Sequence, residues 1–184
     1  MKRDITVTFD NMSYNSENES FKSITTFEEA CKALGINCDD IDSTIEGIIE
    51  SSCSSSAVAM FKLSIIRKAL NLGQDLPFHK NSKNPYIYYP YNPCVNKNST
   101  LYKGKLNSGE LEIIGKITVR GTECNILGGD ANCCYANLGF YGFHDELLGC
   151  ASKKIAKHFG KYFGMLITEA KYGDLEDFKI IQSF

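Results

Sequence analysis

The sequence predicts an α+β fold, with two or three N-terminal helices and one long C-terminal helix packed on one face of a mainly antiparallel sheet. Three observations carry this. Up to about residue 73 the apolar residues recur at helical spacing behind N-cap signals. From 75 to 143 the punctuation changes to Pro, Gly and Asn and the apolar residues alternate. A last amphipathic stretch then runs over 152–170. Helices, then strands, then a closing helix read as α+β. At 184 residues, 43% apolar and 11% aromatic, the chain can close one core. A single domain over 1–184 is expected, with a polar arm or loop at about 11–25.

The elements follow in chain order. A short strand is expected at 4–9, and "NMSYNSENESFKSIT" after it is polar and aperiodic. In "TTFEEACKALGI" Thr26 fits an N-cap, Glu29 completes a capping box, and Phe27, Ala30, Cys31 and Leu34 form the apolar face before Gly35. A second short helix is expected over "DDIDSTIEGIIESS" through Ile41, Ile45, Ile48 and Ile49. "SSSAVAMFKLSIIRKALNLG" is the strongest core helix of this half, with Val58, Phe61, Ile65, Ile66, Ala69 and Leu70 on one broad face and Gly73 at its C-terminal stop. Strands are expected at 86–91, 110–115, 116–120 and 123–127, with "GKLNSGE" and "GGDAN" as turns and "YANLGFYGF" as a further strand. In the final helix Ser152 can cap, and Ile155, Ala156, Phe159, Phe163, Leu166 and Ile167 make the stripe.

Composition narrows the function. A formal charge of −2, a pI near 5.9 and scattered Lys and Arg provide no basic stripe, which disfavours broad electrostatic binding to nucleic acid. Asp4, Thr6, Thr8 and Asp10 interrupt the apolar core a signal peptide would need, and no apolar run approaches the ~20 residues of a membrane span. The expectation is a soluble protein made in a cytoplasm, where the eight cysteines stay reduced and most serve as small buried hydrophobes.

Four stretches, "TTFEEACKALGI", "FKLSIIRKALNLG", "KNPYIYYPY" and "SKKIAKHFGKYF", resemble in the same order four blocks of a family of uncharacterised proteins from phages and prophages of Bacteroidetes. The family signatures F-E-x-A-x-x-x-L-G, A-L-N-x-G, Y-Y-P-Y and A-x-x-x-G-x-x-F fall on Phe27 to Gly35, Ala69 to Gly73, Tyr88 to Tyr91 and Ala156 to Phe163. The chain departs from the pattern where "QDLPFHKNS" replaces a Trp-containing stretch and where the region 94–135 is longer. The resemblance implies a phage genome expressed in a bacterial host, with a protein that is packaged in the virion or acts in the host cytoplasm. It implies no activity.

Cys133, Cys134, His144 and Cys150 share one span, but the spacing fits no familiar zinc knuckle or helical turn, so no metal is expected. His79, His144 and His158 are not tied by sequence to any particular cysteine, and the chain has no G-x-S-x-G, H-E-x-x-H or Walker pattern. "LGGDAN" reads as a β-turn in preference to a phosphate cradle, because no helix follows it. No cofactor and no catalytic residue are assigned. "NPYIYYPYNP" sets four tyrosines among three prolines, and alternation sends Tyr89 and Tyr91 to one face, Tyr86 and Tyr88 to the other. The choice stands between a binding platform and tyrosines covered by loops and the last helix. Pro90 places the segment at a sheet edge or end. Tyr89 and Tyr91, with Phe140 and Tyr141 of the later aromatic stretch, are the binding candidates. The expectation is a non-enzymatic phage-encoded protein, a minor virion component or accessory binding factor with a protein partner, self-association or a small ligand. The alternative is an intracellular anti-defence protein that binds a nucleotide or a host protein.

Overall fold

The computed structural model describes residues 19–52, 54–71, 86–135 and 148–183. The expected strand at 4–9, most of the arm, Gly73, His79 and the stretch holding Phe140, Tyr141 and His144 lie outside the described residues. After a 3-10 turn at Ser20–Ser23 come α1 (Phe27–Ala33), α2 (Cys38–Ser52), α3 (Ser55–Leu70), β1 (Tyr86–Tyr91), β2 (Cys94–Asn96), α4 (Lys103–Asn107), β3 (Glu112–Val119), β4 (Thr122–Gly128), β5 (Asp130–Tyr135), α5 (Lys153–Tyr172) and β6 (Lys179–Ser183). The strands form two antiparallel sheets, β1-β5 and β2-β4-β3-β6. The fold is α+β, with the long C-terminal helix on the sheets.

Local chemistry explains the helix ends. Thr26 Oγ1 accepts from Glu29 N at 3.2 Å while Glu29 Oε2 accepts from Thr26 N at 3.0 Å, the reciprocal capping box of α1. Gly35 then takes φ +66°, a left-handed conformation that glycine adopts without a Cβ penalty. Ser54 caps α3 and Ser152 caps α5, each accepting from the backbone N–H three residues on. At its other end α3 stops on Asn71, whose buried side chain donates to Arg67 O and Gly149 O and accepts from Ala151 N. One side chain there satisfies both a helix end and the entry to α5.

The two sheets are joined through one long antiparallel pair, β1-β2 against β4-β5, bent in the middle. β1 faces β5 from Tyr86↔Tyr135 to Tyr91↔Asp130, and β2 resumes against β4 at Cys94↔Ile126. Between them the chain bends at Asn92-Pro93 on one side and at Gly129, with φ +99°, on the other. Asn92 Nδ2 locks the bend by donating to Leu127 O at 2.9 Å and to Gly160 O of α5 at 2.8 Å. α5 approaches so closely that a Cβ on Gly164 would overlap the Ile114 side chain and the Asn92 amide, and one on Gly160 would meet Pro90 Cβ at 3.0 Å. Two glycines inside a helix cost about 1 kcal/mol each in propensity. Close contact with the bend is what that cost permits.

Several expectations need correction. The two strands expected at 110–115 and 116–120 are a single strand, β3, over Glu112–Val119, with a register shift between Ile113 and Gly115. The first residues of "GKLNSGE" lie in α4, and "GGDAN" is the bend by which β4 passes into β5, changing partner without reversing. The buried line of α3 runs through Ala59, Leu63, Ile66 and Leu70, leaving Val58 and Phe61 only partly covered. α5 packs on both sheets, and α3 packs chiefly on α5 and α1. Phe21 and Ile24, at the end of the expected polar arm, are buried against the main core.

Candidate functional site

A cavity of about 200 Å³ lies between the last turns of α5 and the bend of the strand pair. The strands contribute Tyr89, Tyr91 and Asn132, and the helix contributes Thr168, Lys171 and Tyr172. Ile126, Leu148 and Ile167 supply apolar floor. The antiparallel register sets Tyr89 directly opposite Asn132 and Tyr91 opposite Asp130, so these four side chains share one face of the β1-β5 ribbon. Tyr88 and Pro90 point to the other face, where Pro90 is buried against Gly160.

The support beneath the tyrosines is well defined. Tyr88 exchanges both backbone hydrogen bonds with Cys150, at 3.1 and 2.7 Å, on the side away from β5. Pro90, two residues on, directs its missing N–H to that same side, so no ladder bond to β5 is lost. Tyr88 and Tyr89 are both half-buried and pack on the main core, Tyr91 is 38% exposed, and the side chain of Tyr86 is outside the described residues. At the rim Tyr91 Oη lies 3.4 Å from Tyr102 Oη, and Lys105 pairs with Asp130 at 2.9 Å. The hydrogen bond to Tyr91 raises the Tyr102 phenol above its ordinary range.

The helical wall is equally fixed. Asp174, just past α5, accepts from Ser54 Oγ at 2.6 Å and from Ser56 N at 3.2 Å, which holds its carboxyl below the usual range and ties the end of α5 to the start of α3. Tyr172 leans on Phe178, ring centroids 6.4 Å apart, and Lys171 Nζ lies 5.9 Å from the Tyr172 ring centroid. Thr168 is already engaged, donating to Gly164 O at 2.8 Å.

The described cysteines and histidine, the side chains suited to nucleophilic or metal chemistry, are differently placed. Cys94, on the cavity wall, contacts Cys124 of the neighbouring strand, and burial with that contact pushes its thiol up to about 11. At neutral pH it is a thiol, a weak nucleophile. Cys133 and Cys150 flank Tyr88 from opposite sides of β1, two strand spacings or about 10 Å apart, too far to share a metal. Among the described residues no group of three His, Cys, Asp or Glu side chains could hold a metal ion. His158 packs against Phe21 and Tyr162, and its Nε2–H donates to Ile24 O at 2.7 Å, anchoring the 3-10 turn. No helix among the described residues is long and apolar enough to cross a membrane.

Tyr89 and Tyr91 were legible from alternation, but Asn92, Asn132, Thr168, Lys171 and Tyr172 were not. "EAKYG" reads as an ordinary helix end, and only the packing of α5 on the bend brings it to the tyrosines. Compared with protein-family models, curated proteins and solved structures, the chain matches none of them.

Proposed function

We propose that this is a non-enzymatic, phage-encoded accessory protein that works by binding, and that its recognition site is the tyrosine-lined cavity beside the end of α5. The observation that carries this reading is the convergence of Tyr89 and Tyr91 with Lys171 and Tyr172, from opposite walls, on one concavity with a braced rim. Rigid aromatic side chains beside a few polar groups are what a recognition pocket needs. The raised Cys94 thiol and the anchoring bond of His158 support binding over nucleophilic chemistry. The resemblance of its sequence blocks to phage and prophage proteins supports a reading in which it acts in the host cytoplasm or in the particle. A small ligand is favoured by the cavity over a flat protein partner, which aligns this reading with an anti-defence role as much as a virion one.

Thermal-shift measurements against cyclic and linear nucleotides and host metabolite extracts test it, because a ligand that prefers the folded state raises the midpoint. The expected result is a shift with the native protein that is lost in a Tyr89→Ala/Tyr91→Ala variant. Ligands that shift both equally would move the site elsewhere, and turnover of any of them would overturn the non-enzymatic reading. Mass spectrometry of purified particles separates packaged from accessory roles, since absence from the particle removes the former.

A further inference from the structure

Resting on the binding reading above, the geometry points to a ligand class: we infer that the cavity takes a single planar ring bearing one anionic group, the ring against the tyrosines and the anion at Lys171 Nζ.

Size sets the first limit. About 200 Å³ equals the volume of roughly seven water molecules at about 30 Å³ each. That accommodates one ring with a substituent. Shape sets the second. Tyr89, Tyr91 and Tyr172 all belong to the lining, and flat aromatic faces favour stacked or edge-on rings over saturated ones. Tyr172 is braced by Phe178 and the strand tyrosines by β5, so little ordering is needed when a ligand enters.

Charge sets the third. Among the described residues of the lining Lys171 is the charged one, and no described carboxylate shares the lining with it. Nearby acids are already committed, Asp130 to Lys105 at 2.9 Å and Asp174 to Ser54 at 2.6 Å, whereas Lys171 has no ion pair among the described residues. Its ammonium stands beside the Tyr172 ring, a position from which it can meet an anion carried on a stacked ring. Competing polar groups are few. The Thr168 hydroxyl is spent on Gly164 O and the Asn92 Nδ2 on Leu127 O and Gly160 O, which leaves the buried Asn92 Oδ1 and exposed Asn132, opposite Tyr89, to read a ring substituent. A cationic ligand would face Lys171 without a counter-charge and is disfavoured.

Calorimetric titration of the full chain with four probes tests this. They are 4-hydroxybenzoate and phenyl phosphate as ring anions, 4-hydroxybenzamide as the neutral counterpart, and cyclohexanecarboxylate as the saturated one. The expected result is one-to-one binding of at least one ring anion, with the neutral and saturated compounds weaker by about tenfold or more. Whichever ring anion binds more tightly identifies carboxylate or phosphate as the group recognised. Lys171→Gln should bring the anion down to the affinity of the amide, and Lys171→Arg should restore the preference. Because Lys171 is exposed, both variants should melt with the native protein. The inference is overturned if the amide binds as tightly as the acid, which would leave a binding cavity that is not an anion site. It is overturned too if no ring anion binds to protein that melts normally, while a Tyr89- and Tyr91-dependent ligand from the wider screen would still uphold the binding reading.

Discussion

The two halves of α5 meet the same bent strand pair and do opposite things. From Ala156 to Gly164 the helix presents small residues, and the strands close on it until Pro90, Asn92 and Ile114 leave no room for a methyl group. From Ile167 to Tyr172 it presents large ones, and the walls stand apart around a cavity of about 200 Å³. The change takes place within a single turn. Packing at one end of a helix can thus hold open a space at the other, because Asn92 fastens the bend to Gly160 O and leaves the last turns as struts.

Breaking the closed half should have the largest effect. Phe159 is fully buried, in edge contact with Phe163 at 5.9 Å, and Phe159→Ala should cost about 3–5 kcal/mol. Soluble protein with a near-native unfolding midpoint would show that α5 is not the centre of the core. Phe61→Ala should cost less than Phe163→Ala, since Phe61 is only partly buried. Gly128→Ala comes next. Its Cβ would meet Ile114 Cγ2 at 2.6 Å and the backbone of Gly160 and Lys161 at 3.1 and 3.2 Å, so denaturant titration should show a loss of about 1–3 kcal/mol.

A pH effect is smaller. Burial, aided by Lys161 and Lys22, holds His158 below its ordinary value while its bond to Ile24 O opposes that shift. A histidine lowered on folding takes up its proton first in the unfolded chain, so stability should fall as pH drops below about 6.5 and level off below the folded value. His158→Gln should flatten this part of the profile of melting midpoint against pH, and an unchanged slope would count against the anchoring role. Smallest of all should be Tyr91→Ala. It should change folding stability by about 0.5 kcal/mol or less while removing ligand binding, so a large loss of stability would make Tyr91 a core residue.

Much of the scaffold was legible in the sequence because its signals are local. The Thr26–Glu29 capping box, the Ser152 cap and the period of α5 need only residues a turn apart, and the bounds of β1 follow from alternation closed by proline. "GGDAN" misled because glycines that permit a turn also permit a bend, and the choice is made by Asn92, far away in sequence. α3 was misjudged for a related reason. Its flank at Val58 and Phe61 is as apolar as its buried line, and the position of α5 decides which is covered. One wall of the candidate site, Tyr89 and Tyr91, follows from alternation in β1. The rest, with Lys171 and Tyr172 at the end of α5, has no pattern of its own and is recruited by tertiary packing.

The contrast between the closed and open halves of α5 is tested most directly by adding bulk to each and comparing unfolding midpoints. Gly164→Ala inserts a methyl group against Ile114 and the doubly bonded Asn92 amide, whereas Thr168→Ile adds one beside the cavity at the cost of an intrahelical bond to Gly164 O. Gly164→Ala should lower the midpoint despite the roughly 1 kcal/mol that alanine gains over glycine in a helix. Thr168→Ile should leave it within about 0.5 kcal/mol of native or raise it. A Gly164→Ala protein more stable than native, or a Thr168→Ile protein destabilised as much as Gly164→Ala, would contradict the division of α5 into a closed and an open half.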